Sequence, residues 1–246
     1  LGPDLPNRRR FTVTELSDYL RCPKGYELQY LRDLRHYTEA AVSEWGAWRG
    51  VRRGTLAHLA LEYLGRDRQA DPQEVAERAL KAFPLGHAPP DKVLSDLTDL
   101  LSRYMDSETF AMVAAASSLR TEARLLFTLD RALIQGKVDA AATDERDQLH
   151  LVDYKTGASR DQGQHAFQLG LYCAGLEGAV GSLPASATVH YLDQGRAEAL
   201  DVAAAAHDAR SQALRAIAGI CSGDFPPHTD RCAHCALHWA CDARAL

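Results

Sequence analysis

A chain of 246 residues with 46% hydrophobic and 25% charged side chains has an ordinary globular composition and buries most of its apolar surface without needing a crosslink to fold. A net charge of −5 argues against a protein that coats nucleic acid through an overall positive field. No run of about 18 apolar residues and no secretory pattern occurs, so a cytoplasmic location is expected, where clustered cysteines bind metal more often than they pair.

Residues 1–10 read as a linker that includes the basic run Arg8, Arg9 and Arg10; a second basic lead is Arg49, Arg52 and Arg53, and each reads equally as a solvated charge run. Residues 11–246 are expected to form one domain: a helical part to residue 120, a core over 121–200, and a C-terminal helix with a cysteine-bearing tail over 201–246. Thr12 and Glu15 have capping-box spacing and start a helix that carries Leu16, Tyr19 and Leu20 inward toward Cys22-Pro23. Tyr26 to Leu34 reads as helix, a loop from Trp45 to Arg53 follows, and helices are predicted over Gly54–Leu64, Pro72–Ala82 and Asp91–Leu119, with a loop at Pro84–Pro90. Strands are predicted over Glu122–Leu129, Ala132–Ala142, Leu149–Lys155 and Ala187–Leu192, with helices over Gln164–Leu176 and Val202–Ile220. This order predicts an α/β fold, a central mixed sheet flanked by helices.

The chemistry concentrates in Gly136-Lys-Val-Asp139 and Leu151-Val-Asp153-Tyr-Lys155-Thr-Gly157. Strand alternation puts Asp153 and Lys155 on one face, after the apolar Leu149 and Leu151, so the strand runs from core into a cleft. A turn centred near Arg146 sets Asp139 opposite Asp153, where two carboxylates repel unless a cation compensates. The plainer alternative is a pair of turn-flanking acids with Lys155 as their salt-bridge partner. Gln168 and Tyr172 share a helix face and reach the same cleft or form a surface pair. His58 stands in a nearly apolar helix, as a core residue or as a ligand, with Glu62 one turn on.

The tail Cys232-x2-Cys235-x5-Cys241 puts three thiols together, which suits a soft metal or a cluster. Cys22 is the leading fourth ligand, with Cys221 as competitor, while Cys173 reads as a packed core thiol. Spacing fits zinc or iron–sulfur alike, and His234 and His238 would serve a mixed zinc site.

Taken in order, Thr14-Glu-Leu-Ser-Asp-Tyr-Leu-Arg-Cys22-Pro23, Gly54-xxx-His58, Gly136-Lys-Val-Asp139, Asp153-Tyr-Lys155-Thr-Gly157, Gln168-xxx-Tyr172 and the cysteine tail resemble the RecB-like branch of the PD-(D/E)XK nucleases. The chain looks most similar to that branch's iron–sulfur subgroup, the AddB-type helicase–nuclease domains and CRISPR-associated adaptation nucleases. The resemblance implies a restriction-endonuclease-like core with a helical insertion and a four-cysteine cluster joining the two termini. It implies Mg2+ or Mn2+ held by His58, Asp139, Asp153 and the Tyr154 carbonyl, with Glu122 as a weaker extra ligand. Lys155 would orient or activate the attacking water and steady phosphate charge, Gln168 and Tyr172 would position DNA or the active-site shell, and Cys22, Cys232, Cys235 and Cys241 would hold a [4Fe–4S] cluster. The implied activity is largely sequence-independent DNA cleavage, on single strands or ends, in repair or recombination, with a helicase domain or subunit as partner. The rival reading is a catalytically silent DNA-binding or scaffold module on the same fold. The family often has Ile and Arg around the first aspartate; here they are Val138 and Ala140.

Overall fold

The structure, a computed structural model, describes residues 5–34, 52–83, 90–157 and 162–243. The Trp45–Val51 part of the expected loop, including Arg49, and residues 84–89 of the second loop lie outside the described residues.

Strand β1 (Arg10–Thr12) leads into α1 (Val13–Arg21). The Thr12 hydroxyl accepts the Glu15 N–H at 3.1 Å, and Glu15 reaches back to the Thr12 N–H at 3.4 Å. Such a cap contributes about 1 kcal/mol and fixes the helix start. The short α2 (Pro23–Tyr26) widens into a π turn over Glu27–Leu31, where the sequence predicts regular helix to Leu34. Then come α3 (Arg53–Arg66), α4 (Pro72–Ala82), α5 (Pro90–Met105) and α6 (Glu108–Ala115). The expected single helix from Asp91 to Leu119 is two helices because Ser107 has extended backbone and its hydroxyl accepts the Phe110 N–H at 3.1 Å, starting α6.

The sheet contains β1, β2 (Ser118–Leu129), β3 (Ala132–Thr143), β4 (Leu149–Lys155), β5 (Ser186–Tyr191) and β6 (Arg196–Ala199). β2 and β4 pair antiparallel with β3, β1 pairs parallel with it, and β5 lies parallel to β4 and antiparallel to β6. The parallel step from β4 to β5 requires a crossover, which α7 (Gln162–Val180) supplies. α8 (Val202–Ser222) packs on α7 so closely that a Cβ at Gly170 would lie 2.5 Å from the Ala205 carbonyl oxygen.

Helices cover both sheet faces. Leu151 packs with Leu16, Leu171 and Ala213 on the side of α1, α7 and α8. Its neighbours Val152 and Tyr154 pack with Leu56, Leu100 and Tyr104 on the side of α3 to α6. The alternation changes face within the β2–β3 ribbon. Leu119 and Ala140 belong to the α3–α6 core, whereas Ala123 and Val138 belong to the other. Between them Glu122 has a left-handed backbone, φ 53°, a conformation that costs a non-glycine residue about 1–3 kcal/mol and clusters at functional sites.

The two ends of the described chain meet, but not through a four-cysteine cluster, and this corrects that part of the expected fold. The Tyr19 hydroxyl donates to the Asp224 carbonyl at 2.6 Å, the Lys24 N–H to the Pro226 carbonyl at 3.2 Å, and Lys24 Nζ lies 3.3 Å from Asp242. Cys22 Sγ is engaged as an acceptor of the Gly25 and His228 N–H groups. Among the described residues no helix is long and apolar enough to cross a membrane.

Candidate active site

β3 pairs along one edge with β2 from Ala132 to Thr143, skipping Asp139 beside Glu122, whereas on the other edge β1 meets Leu133–Gln135 and β4 meets Ala140–Thr143. Residues 136–139 lie between those two partners, and there the sheet opens. Continued by one step, the β3–β4 ladder would set Asp139 opposite Asp153. Instead the Asp139 carboxylate occupies the gap, and its Oδ2 accepts the Tyr154 N–H at 2.8 Å. That bond fixes one oxygen and leaves Oδ1 facing His58, whose Nδ1 is 3.3 Å away.

His58 comes from α3. That helix is tied down at its start, where Arg53 pairs with Asp96 at 2.7 Å and Asp193 at 2.6 Å, and Asp193 also accepts the Gly157 N–H at 2.5 Å. His58 Nδ1 also lies 3.7 Å from Glu122 Oε1, and the other Glu122 oxygen is ion-paired with Lys137. His58, Glu122 and Asp139 thus bring one ligand atom each within 4.8 Å of one another. Burial works against the imidazolium, but the Asp139 and Glu122 carboxylates outweigh it and push the His58 pKa up to about 10. Hydrogen bonds from His58 and Lys137, against a burial cost, hold the Glu122 carboxyl below its ordinary range. Two carboxylates and an imidazole converge here, a donor set that fits a divalent cation, which would displace the imidazolium proton.

Asp153 adjoins this cluster and is 4% exposed. Burial raises its pKa, Lys155 opposes that, and the Asp139 charge adds to the rise. Lys155 Nζ lies 2.7 Å from Asp153 Oδ2, an oxygen with no further hydrogen bond among the described residues, and donates to Gln168 Oε1 at 3.3 Å. Tyr172, one turn beyond Gln168, lies over Gly136, where a Cβ would come within 2.4 Å of its ring. Its hydroxyl accepts a hydrogen bond from the Lys137 main chain, and burial with the nearby Asp153 charge raises its pKa. The Tyr154 side chain points to the other core, its hydroxyl 2.5 Å from that of Tyr104.

Of the residues singled out by sequence, His58, Asp139 and Glu122 therefore meet in one cluster, and Asp153, Lys155 and Gln168 form a chain beside it. The cysteines do not join a metal site. Among the described residues the one group of three or more His, Cys, Asp or Glu side chains with ligand atoms that close is His58, Glu122 and Asp139, and all six cysteines are free thiols. This overturns the expected [4Fe–4S] cofactor on Cys22, Cys232, Cys235 and Cys241, and with it the likeness to the iron–sulfur subgroup. Sequence reasoning missed Lys137, although its position two residues before Asp139 on one strand was the available signal, and missed the Arg53–Asp193 tie.

The sequence matches the family described as the PD-(D/E)XK nuclease superfamily over residues 10–242. No curated protein matches it. Among solved structures, one from Eubacterium rectale described as a "Putative exonuclease" is 14% identical with a TM-score of 0.55, covering 99% of this chain and 91% of that one. The protein SSO0001 is 15% identical with a TM-score of 0.46, covering 97% and 88%. At 14% identity the likeness to the Eubacterium rectale structure concerns the fold alone.

Proposed function

Because this chain belongs to the PD-(D/E)XK nuclease superfamily, we propose that it is a Mg2+- or Mn2+-dependent deoxyribonuclease, largely indifferent to sequence, acting on single-stranded DNA or DNA ends. The observation that carries this is the convergence of His58, Glu122 and Asp139 beside the Asp153–Lys155 pair.

In this reading His58, Glu122, Asp139 and Asp153 hold the cation, with the Tyr154 carbonyl completing the set. Bound there, a divalent cation stabilises charge on a phosphoryl group and lowers the pKa of a water. The chain does the positioning. The Tyr154 N–H holds Asp139 Oδ2, so the second oxygen keeps its aim. Gln168 holds the Lys155 ammonium, which donates to the water or to a phosphoryl oxygen as negative charge develops. Tyr172 walls the cleft over Gly136. Contacts of this kind address the DNA backbone and carry little sequence information, which supports cleavage without sequence preference.

The test is digestion of end-labelled single- and double-stranded DNA with Mg2+ or Mn2+ by the wild type, Asp153→Ala and Lys155→Ala. Metal-dependent cutting by the wild type, lost in both folded variants, is expected. A wild type that binds DNA without cutting under any metal would indicate the catalytically silent module instead.

A further inference from the structure

The cleft contains a cation that the proposed chemistry does not use. Lys137 sits on β3 within the open stretch, ion-paired with Glu122. The three acids Glu122, Asp139 and Asp153 are matched by three cations: Lys137, His58 and Lys155. A cation held by His58, Glu122 and Asp139 would compete with Lys137 for Glu122. Resting on the nuclease reading above, we propose that Lys137 is a DNA-phosphate contact, parked on Glu122 until a metal ion takes over that carboxylate.

Three features support this. The Lys137 backbone is fixed, since it pairs with Arg124 across the ribbon and bonds the Tyr172 hydroxyl. Its side chain is 52% exposed against 22% for Lys155, so the ammonium can leave Glu122 for the open side of the cleft while Lys155 stays enclosed. On its lysine side the pair is half open to solvent, and water screening leaves the contact free to exchange when the charge on Glu122 is taken up. Lys137 and Lys155 would then grip the DNA from the Glu122 and Gln168 sides of the carboxylates.

The test measures binding of a fluorescent single-stranded oligonucleotide to the wild type, Lys137→Gln and Lys137→Arg, in Ca2+ and in EDTA across a salt series. Neutralising one phosphate contact makes the log affinity–log salt slope shallower by about 0.7 on single strands. In Ca2+, Lys137→Gln should show that shallower slope and about 5- to 20-fold weaker binding, roughly 1–2 kcal/mol, with Lys137→Arg close to the wild type. In EDTA the wild type and Lys137→Gln should bind alike. In cleavage assays the Lys137→Gln loss should fall mainly in KM. Equal slopes in Ca2+, alongside a wild type that cuts DNA, would overturn the role of Lys137 alone. A wild type that neither binds nor cuts would remove the nuclease reading, and this proposal with it.

Discussion

Asp153 is the residue at which function should visibly cost stability. It is 4% exposed, and its nearest cation is Lys155 Nζ at 2.7 Å. Burial, with the Asp139 charge adding and Lys155 opposing, pushes its carboxyl from 3.8 to about 6. A folded pKa above the unfolded one means that the folded chain binds this proton more tightly. The charged carboxylate therefore destabilises the fold, fully so above about pH 6, and the cost fades as pH falls toward 4. At about 1.36 kcal/mol per pH unit, the charge costs on the order of 3 kcal/mol at pH 7.5. Asp153→Asn keeps the shape and removes the charge; the raised pKa is already net of the Lys155 attraction, so the gain is bounded by that cost, on the order of 1–3 kcal/mol. For a chain of this size that raises Tm by roughly 2–12 °C in EDTA at pH 7.5. The advantage should narrow toward pH 4. It should also narrow in excess Mn2+, which stabilises only a chain that can bind it. Thermal melts across pH, with and without EDTA, read all three effects. A metal-free Asp153→Asn protein melting at or below the wild type would refute the reasoning.

Three further outcomes are expected. Because the His58 pKa is raised to about 10, its contribution to metal-free stability is complete below about pH 6.5 and is lost as pH rises through about 10. A metal must displace the same proton, so Mn2+ affinity should rise up to about tenfold per pH unit between pH 6.5 and 8.5, and His58→Ala should flatten that slope in a Mn2+ titration. Gly136→Ala would place a Cβ 2.4 Å from Tyr172 Cε1 and 3.0 Å from Val13 Cγ2, so denaturant melts should show a loss of about 1–3 kcal/mol; unchanged stability would mean that Tyr172 does not pack there. Gln168→Ala frees Lys155 to reorient, and single-turnover cleavage should slow about tenfold with Tm little changed; an unaltered rate would remove Gln168 from the positioning of Lys155.

Much of the fold was legible because its elements carry strong local signals. Thr12 with Glu15 announces α1, and the apolar alternation through β2, β3 and β4, broken by the polar turn near Arg146, announces the ribbon. What was missed lacks such signals. β1 is three residues long, and β6 is only Arg-Ala-Glu-Ala, whose apolar side chains are two alanines. The break at Ser107 was hidden by apolar periodicity on both sides of it. In the site, Asp153 and Lys155 stand out because period-two spacing places charge at the end of an apolar strand, and Asp139 because the turn near Arg146 puts it opposite Asp153. The closeness of Glu122 to His58 depends on a positive φ at Glu122 and a change of face that only the assembled ribbon reveals. The cysteine spacing misled for the complementary reason. Short spacing brings thiols near in sequence, but a site needs their sulfurs to converge, and the chain ends are tied by the Lys24 N–H to Pro226, the Tyr19 hydroxyl to Asp224 and the Lys24–Asp242 pair instead.

The most direct measurement is a crystal of this protein soaked in Mn2+ and recorded at a wavelength where manganese scatters anomalously. An anomalous peak enclosed by His58, Glu122 and Asp139, beside Asp153, and absent from an Asp139→Asn crystal, is the expected result. Saturating Mn2+ that leaves this cleft without a peak, or a peak that persists undiminished in Asp139→Asn, would contradict the assignment of a metal centre to these strands.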